Sequence, residues 1–427
     1  SAVPRSSTSR ADASPVFPMG VAASTMRPAV AGPESGAVLG LGSTPPAYCC
    51  GDLPAANGSM GLVTQTSTRP GGTGPSAPAP AESDGTAETT EVRAARPWLS
   101  RPDEAFTEDS LLARLLGAGP RWRDYPASLR VWLLLVPVLT AAAGGILRFV
   151  RLEVPPKLVF DETYYVKDAY SYLISGYERS WPDKANDAFN AGNPGVLLDS
   201  PEYVVHPPVG KWMIAAGMWI FGPENPFGWR FAAALTGTLS ILLLSLIALK
   251  LFRSLPLAAA AGLLLAVDGH HLVMSRTSLL DIFLMFWVLA AFGALLLDRD
   301  DGRWRLAVRL ARAATGSGGR PTAAQLLPGP WLGIRWWRLA AGLCLGLAVG
   351  TKWSGLFFLA VFGVLTVLWD LNARRVAGVR GWISGGIIKD GIPAFLSMVP
   401  VAGLVYAATW TGWFRSEDAY FRRWAQS

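Results

Sequence analysis

His206-Pro207-Pro208-Val209-Gly210-Lys211-Trp212-Met213-Ile214-Ala215-Ala216-Gly217-Met218-Trp219-Ile220-Phe221-Gly222-Pro223 is the stretch on which the reading of this chain turns. Its apolar part, Val209 to Phe221, covers 13 residues, carries Lys211 and is bracketed by Pro207-Pro208 and Gly222-Pro223. About 20 apolar residues are needed to cross roughly 30 Å of hydrocarbon. The segment therefore reads as a helix lying along a membrane interface. Were it a crossing, every later loop would change sides, and the Arg-rich 298–336 segment would face outward against the positive-inside rule.

Around it, apolar runs of crossing length recur. Seven spans are expected, at about 131–150, 229–252, 256–272, 277–297, 337–351, 353–370 and 387–409. The third and fifth are the shortest for the task. With the amino terminus inside, the inner segments carry Arg121, Arg123 and Arg130, then Lys250 and Arg253, then the basic 298–336 stretch, then Arg374, Arg375, Arg380 and Lys389. Composition agrees: 51% of the 427 residues are hydrophobic and 16% charged, against about 25% charged in soluble proteins. The fold class expected is an all-α polytopic membrane protein. Three Cys and three His supply neither a disulfide framework nor a four-ligand zinc site. The net charge of +7 lies mostly beside apolar runs, which topology explains better than nucleic acid does. Residues 1–110 show no sustained apolar period and read as a disordered, low-complexity tail, in which Cys49, Cys50 and the sequon at Asn57 are chance features. Residues 111–427 form the membrane core.

On this topology Asp161, Glu162, His206, Lys211, Arg230, Arg276, Asp281 and Lys352 all fall near the outer face. Ionisable groups at the ends of spans usually face a cavity or one another. Phe160-Asp161-Glu162-Thr163-Tyr164-Tyr165 opens the first large outer loop, where a carboxylate beside aromatic rings could take a proton from an arriving hydroxyl, or be an acidic pair on a solvated loop. Lys211 and Trp212 suit an interface meeting an anionic headgroup, or are a snorkelling lysine and its aromatic anchor. Arg276 and Asp281 either pair loosely or leave Arg276 for a phosphate; His270 and His271 have no third ligand at metal spacing. Gly350-Thr351-Lys352-Trp353-Ser354-Gly355 offers close backbone approach and a point charge, without the spacing of a P-loop. A carboxylate with several cations on one face suggests group transfer from an anionic lipid carrier.

At these motifs the chain resembles the protein O-mannosyltransferases, the dolichyl-phosphate-mannose protein mannosyltransferase family, especially its actinobacterial members. The resemblance rests on Phe160 to Leu173 (FDETYYVKDAYSYL), His206 to Trp212 (HPPVGKW), Gly228 to Phe231 (GWRF), Ser275 to Asp281 (SRTSLLD), Gly350 to Phe357 (GTKWSGLF) and Thr409 to Phe414 (TWTGWF), in order across some 280 residues. It implies a type C glycosyltransferase-like core with interfacial helices in the first outer loop. It further implies transfer of mannose from polyprenyl-phosphate-mannose to Ser or Thr of secreted proteins at the outer face of the cell membrane, in one inverting displacement. Asp161 would be the general base and Glu162 its partner. Arg230, Lys211, Arg276 and Lys352 would contact the donor phosphate, with His206 and Asp281 beside them. No cofactor or metal is expected; membrane lipids and the secretion translocon are expected partners. The family continues past the TGWF region, so this chain is expected to be a fragment. Two other readings remain: a related transferase acting on a lipid or glycan, and a transporter, for which no paired repeats are visible.

Overall fold

Apolar runs closed by capping residues set the helices. The computed structural model describes residues 105–117, 119 and 124–424, and every regular element among them is helical. The elements are α1 (Glu108–Leu116), α2 (Ala127–Phe149), α3 (Glu162–Ser175), α4 (Ala185–Asn190), α5 (Val209–Phe221), α6 (Pro226–Phe252), α7 (Leu255–Val267), α8 (Gly269–Met274), α9 (Leu280–Thr315), α10 (Ala323–Leu326), α11 (Trp336–Val349), α12 (Gly355–Val376), α13 (Trp382–Gly386), α14 (Ile392–Thr409) and α15 (Thr411–Arg415). Asn225 accepts the Phe227 N–H with Pro226 in the first turn, Ser254 accepts from Leu257, and Asp268 accepts from His271; these side chains satisfy donors that a helix start leaves orphaned. Most of the expected tail, with Cys49, Cys50 and Asn57, lies outside the described residues. Its last residues open α1, whose Leu111, Leu112 and Leu115 are buried against Leu306, Ala307, Leu310 and Ala314 of α9.

Helices lie over the seven expected spans, but the third, 256–272, is divided at Asp268 between α7 and α8, because the Asp268 side chain caps the start of a new helix. Five helices are long and apolar enough to cross a membrane: Ala127–Phe149, Pro226–Phe252, Leu280–Thr315, Gly355–Val376 and Trp382–Thr409. Helices α7 and α11 have 13 and 14 residues, roughly 20 Å at an α-helical rise. Helix α5 is equally short at 13 residues. It buries Val209, Ile214, Ala215 and Met218 and leaves Trp212, Trp219 and Ile220 outward, an arrangement suited to an interface. The basic 298–336 segment is helical through its first half, because α9 runs on to Thr315 with Leu306, Leu310 and Ala314 on one stripe against α1.

Six charged residues inside this core are paired across helices. Asp298 of α9 and Asp370 of α12 are clasped by Arg335 and Arg338: Arg335 Nη2 to Asp298 Oδ2 is 2.6 Å, Arg335 Nη1 to Asp370 Oδ2 is 2.8 Å, and Arg338 Nη2 to Asp370 Oδ2 is 2.6 Å. A π-turn at Ile387–Gly391 joins α13 to α14 and turns Asp390 inward onto Arg374. All six side chains are buried. Removing one partner strands an opposite charge at a cost of about 3 to 5 kcal/mol. Asp298→Leu should therefore lower the thermal midpoint of the full-length protein in nanodiscs substantially, whereas Glu417→Gln, at an exposed pair, should shift stability by less than about 0.5 kcal/mol.

Candidate functional site

The two carboxylates of the Asp161-Glu162 motif have opposite fates. Glu162 is fully buried at the start of α3, and its partner is Arg230 of α6. Arg230 Nε donates to Glu162 Oε1 and Nη2 to Oε2, each at 2.8 Å. The remaining donors reach backbone carbonyls of the preceding loop: Nη1 to Leu152 at 3.2 Å and Pro155 at 2.9 Å, Nη2 to Lys157 at 2.9 Å. All five guanidinium donors are thus used. Glu162 also accepts the N–H of Val159 at 3.0 Å and of Ser278 at 3.0 Å. One ion pair therefore ties α3, α6, the 152–159 loop and the segment before α9 together.

Between these anchors the chain turns sharply. Phe160 has φ +52°, in the left-handed region that a bulky residue enters only when its surroundings hold it there. Its carbonyl accepts from the Thr163 hydroxyl at 2.9 Å. The next residue, Asp161, is half-buried, and its side chain has no hydrogen bond or ion pair among the described residues. Strain next to an unpaired carboxylate marks a site that the clamp holds in place.

Four other side chains gather with Asp161. Tyr165, one helical turn on, has its phenol pushed up to about 12 by burial and by Asp161, Asp281 and Asp168, so it stays neutral. Its ring packs on His206, centroids 5.9 Å apart. Burial and the neighbouring Lys352 and Lys211 hold the His206 imidazole below its usual range, which leaves it neutral at pH 7. Lys352 Nζ pairs with Asp281 Oδ1 at 2.8 Å, and both side chains are partly exposed. Backbone contact makes this assembly possible: the Val209 N–H donates to the Gly350 carbonyl at 2.9 Å, and a Cβ on Gly350 or Gly210 would collide with Val209 or Leu280. Among the described residues no cluster of three or more His, Cys, Asp or Glu is placed to hold a metal.

Three of the cations expected at a donor phosphate are engaged elsewhere. Arg230 is closed off by Glu162. Lys211 is fully buried, with Nζ 3.0 Å from Asp168 Oδ2 and in contact with Glu178, so it joins α5 to α3 rather than meeting a headgroup. Arg276 does not pair with Asp281. Its guanidinium donates to the carbonyls of Leu147, Arg148, Val150 and Arg151 at 2.9 to 3.0 Å, covering the negative end of α2. Of the expected set, the structure brings together Asp161, His206, Asp281 and Lys352. Tyr165 and Asp168 were missed, though Asp161, Tyr165 and Asp168 at i, i+4 and i+7 share one helix face. His271 is buried, with Nδ1 2.6 Å from Arg148 Nη2.

The fold and site define a polytopic, all-helical membrane protein with a carboxylate, an imidazole and a cation assembled at one end of its bundle. The chain matches the dolichyl-phosphate-mannose-protein mannosyltransferase family over residues 138–305 and 329–409, and it belongs to that family of glycosyltransferases. It is 40% identical over 293 residues to a polyprenol-phosphate-mannose–protein mannosyltransferase of Mycolicibacterium smegmatis, covering 67% of this chain and 51% of that protein. Identity to the Mycobacterium tuberculosis protein of the same name is 43% over 267 residues, covering 62% of this chain and 46% of that protein. An undecaprenyl phosphate-alpha-4-amino-4-deoxy-L-arabinose arabinosyl transferase of Pseudomonas aeruginosa is 32% identical over 176 residues, 41% of this chain and 28% of that protein. The chain spans about half the length of the actinobacterial relatives it matches. Among solved structures, the S. cerevisiae Pmt1-Pmt2 complex bound to the sugar donor is similar at 18% identity and a TM-score of 0.49, covering 74% of this chain and 37% of that one. With the family shown and the described residues helical throughout, the expected all-α polytopic fold class stands.

Glu162→Gln should strip the charge from a buried pair and destabilise the full-length protein by about 3 to 5 kcal/mol in thermal melts, and Glu162→Leu with Arg230→Leu should recover part of that loss. A pH series provides a second check. Burial, and Asp168 beside it, push the Glu202 carboxyl from 4.5 up to about 7. A carboxyl raised on folding contributes stability below its unfolded value and loses it as pH rises through the folded one. The melting midpoint should fall between pH 4.5 and 7, and Glu202→Gln should flatten that slope.

Proposed function

We propose that the complete protein transfers mannose from a polyprenyl-phosphate-mannose donor to Ser or Thr hydroxyls of secreted proteins, at the outer face of the cell membrane and with its amino terminus in the cytoplasm. The observation that carries this reading is the placement of Asp161: unpaired, half-buried and held beside the Glu162–Arg230 clamp within electrostatic reach of His206, which Lys352 also faces. The acceptor oxygen attacks C1 of the mannosyl group as the C1–O bond to phosphate breaks. Asp161 takes the hydroxyl proton, and the phosphate departs with the bonding electrons. Attack from the face opposite the phosphate inverts C1. Lys352, partly exposed and shared with Asp281, is the candidate contact for the leaving phosphate, and neutral His206 donates a hydrogen bond beside it. Fixed positive charge where phosphate charge develops supplies most of the barrier reduction, and the base adds about 10² to 10⁴-fold. Glu162 acts by positioning Asp161. The relatives' names support the donor and the protein acceptor.

The similarity to the aminoarabinose transferase favours a second reading, in which a related sugar passes to a lipid or glycan acceptor. Membranes containing the full-length protein, labelled polyprenyl-phosphate mannose and a Ser/Thr-rich peptide separate the two: label in the peptide supports the first, and label only in glycolipid supports the second. Asp161→Asn should lower transfer by about 10²-fold or more at unchanged membrane abundance; near-normal turnover removes Asp161 from the base role. Lys352→Ala should raise KM for the lipid donor more than for the peptide, and equal effects on both would assign Lys352 to packing.

A further inference from the structure

At the far end of the bundle from Asp161, α2, α6 and α9 line a cavity with a charged rim that the transfer reaction does not use. Asp281 and Arg299 are 18 residues apart on α9, about 27 Å at an α-helical rise, close to the thickness of the hydrocarbon layer. The cavity has a volume of about 600 Å³. Among the described residues Lys250, Arg253, Arg299 and Arg303 line it, against a single carboxylate, Asp300. Asp300 is shared by Lys250 Nζ at 2.8 Å and Arg299 Nε at 3.0 Å. Arg253 and Arg303 each spend one nitrogen on the C-terminal carbonyls of α1, Leu116 at 2.7 Å and Leu115 at 3.1 Å. The buried Nε of Arg303 has no partner among the described residues. Below this rim the walls are apolar, with Leu133 from α2 and Leu246 and Leu249 from α6.

The rim is shaped rather than incidental. Arg253 ends α6 at φ +51°, a left-handed conformation for a non-glycine residue, and its guanidinium lies against Gly119, where a Cβ would collide with it. The result is a cationic mouth above a hydrocarbon-lined floor. Free phosphate would fill the mouth alone. A molecule with both a phosphate and acyl chains matches mouth and floor together, and basic pockets between membrane helices have this chemistry.

We propose that this cavity holds the phosphodiester headgroup of an anionic glycerophospholipid, with its acyl chains along Leu133 and Leu249, and that the bound lipid fastens α1 to α6 and α9. The site is independent of the transfer reaction. The test is native mass spectrometry of the full-length protein released from nanodiscs containing phosphatidylcholine and phosphatidylglycerol. The expected result is selective retention of phosphatidylglycerol, undisturbed by Asp161→Asn and by inorganic phosphate. Each removed cation should weaken retention about fivefold, so Arg299→Gln with Arg303→Gln should weaken it about 25-fold. Retention of both lipids alike, displacement by inorganic phosphate, or stronger retention of a polyprenyl phosphate overturns the proposal. Should the double variant fail to fold, the wild-type protein decides: diazirine-labelled phosphatidylglycerol must crosslink to residues 115–119 or 246–253, and adducts confined to other segments overturn the assignment.

Discussion

A buried charge must be matched where it sits, and in the Glu162–Arg230 pair the match is complete. Every donor of Arg230 is used, on Glu162 and on three carbonyls of the 152–157 stretch, while Glu162 takes two further backbone N–H groups. The pair therefore fixes backbone as well as side chains. It sets the path of the chain from α2 into α3, imposes the left-handed turn at Phe160 and leaves Asp161 as the unpaired carboxylate of the motif. An Arg fork can do this because its donors are rigid and planar; a lysine at the same place could not span both carboxylate oxygens and three carbonyls.

The same economy governs the rest of the polar interior. Lys211 closes α5 onto α3 through Asp168 and Glu178, Arg276 covers the end of α2, and Arg335 and Arg338 hold α9 to α12 through Asp298 and Asp370. Charges far from water are costly alone and useful when paired, so they act as registry marks between helices whose apolar faces would pack in several ways. The charges left at the two ends of the bundle, partly exposed, are informative by contrast. At one end they are Asp161 with Lys352 and its partner Asp281; at the other they form the cationic rim around Arg303.

Much of this was legible in the sequence. The short helix expected at Val209 to Phe221, bounded by Pro207-Pro208 and Gly222-Pro223, forms over those same residues. Apolar period and length located the long helices, and the motifs from Phe160 to Phe414 carried the family, to which the chain belongs. The roles of the cations were less legible. Spacing places Arg230, Lys211 and Arg276 near one face, yet each is paired with a group 33 to 129 positions away, and such partners leave no local pattern. The continuation of α9 to Thr315 was hidden for a related reason: its second half alternates arginine with leucine, and the burying partner is α1, far earlier in the chain.

The sequence by itself determined that this chain is helical, that it enters a membrane, and which residues could carry charge to a reaction, because hydrophobic length and residue chemistry are properties of short segments. Only the tertiary structure decided which charges are free to act. A side chain's availability depends on the neighbours that consume its donors and exclude water from it, and those neighbours are brought together by folding.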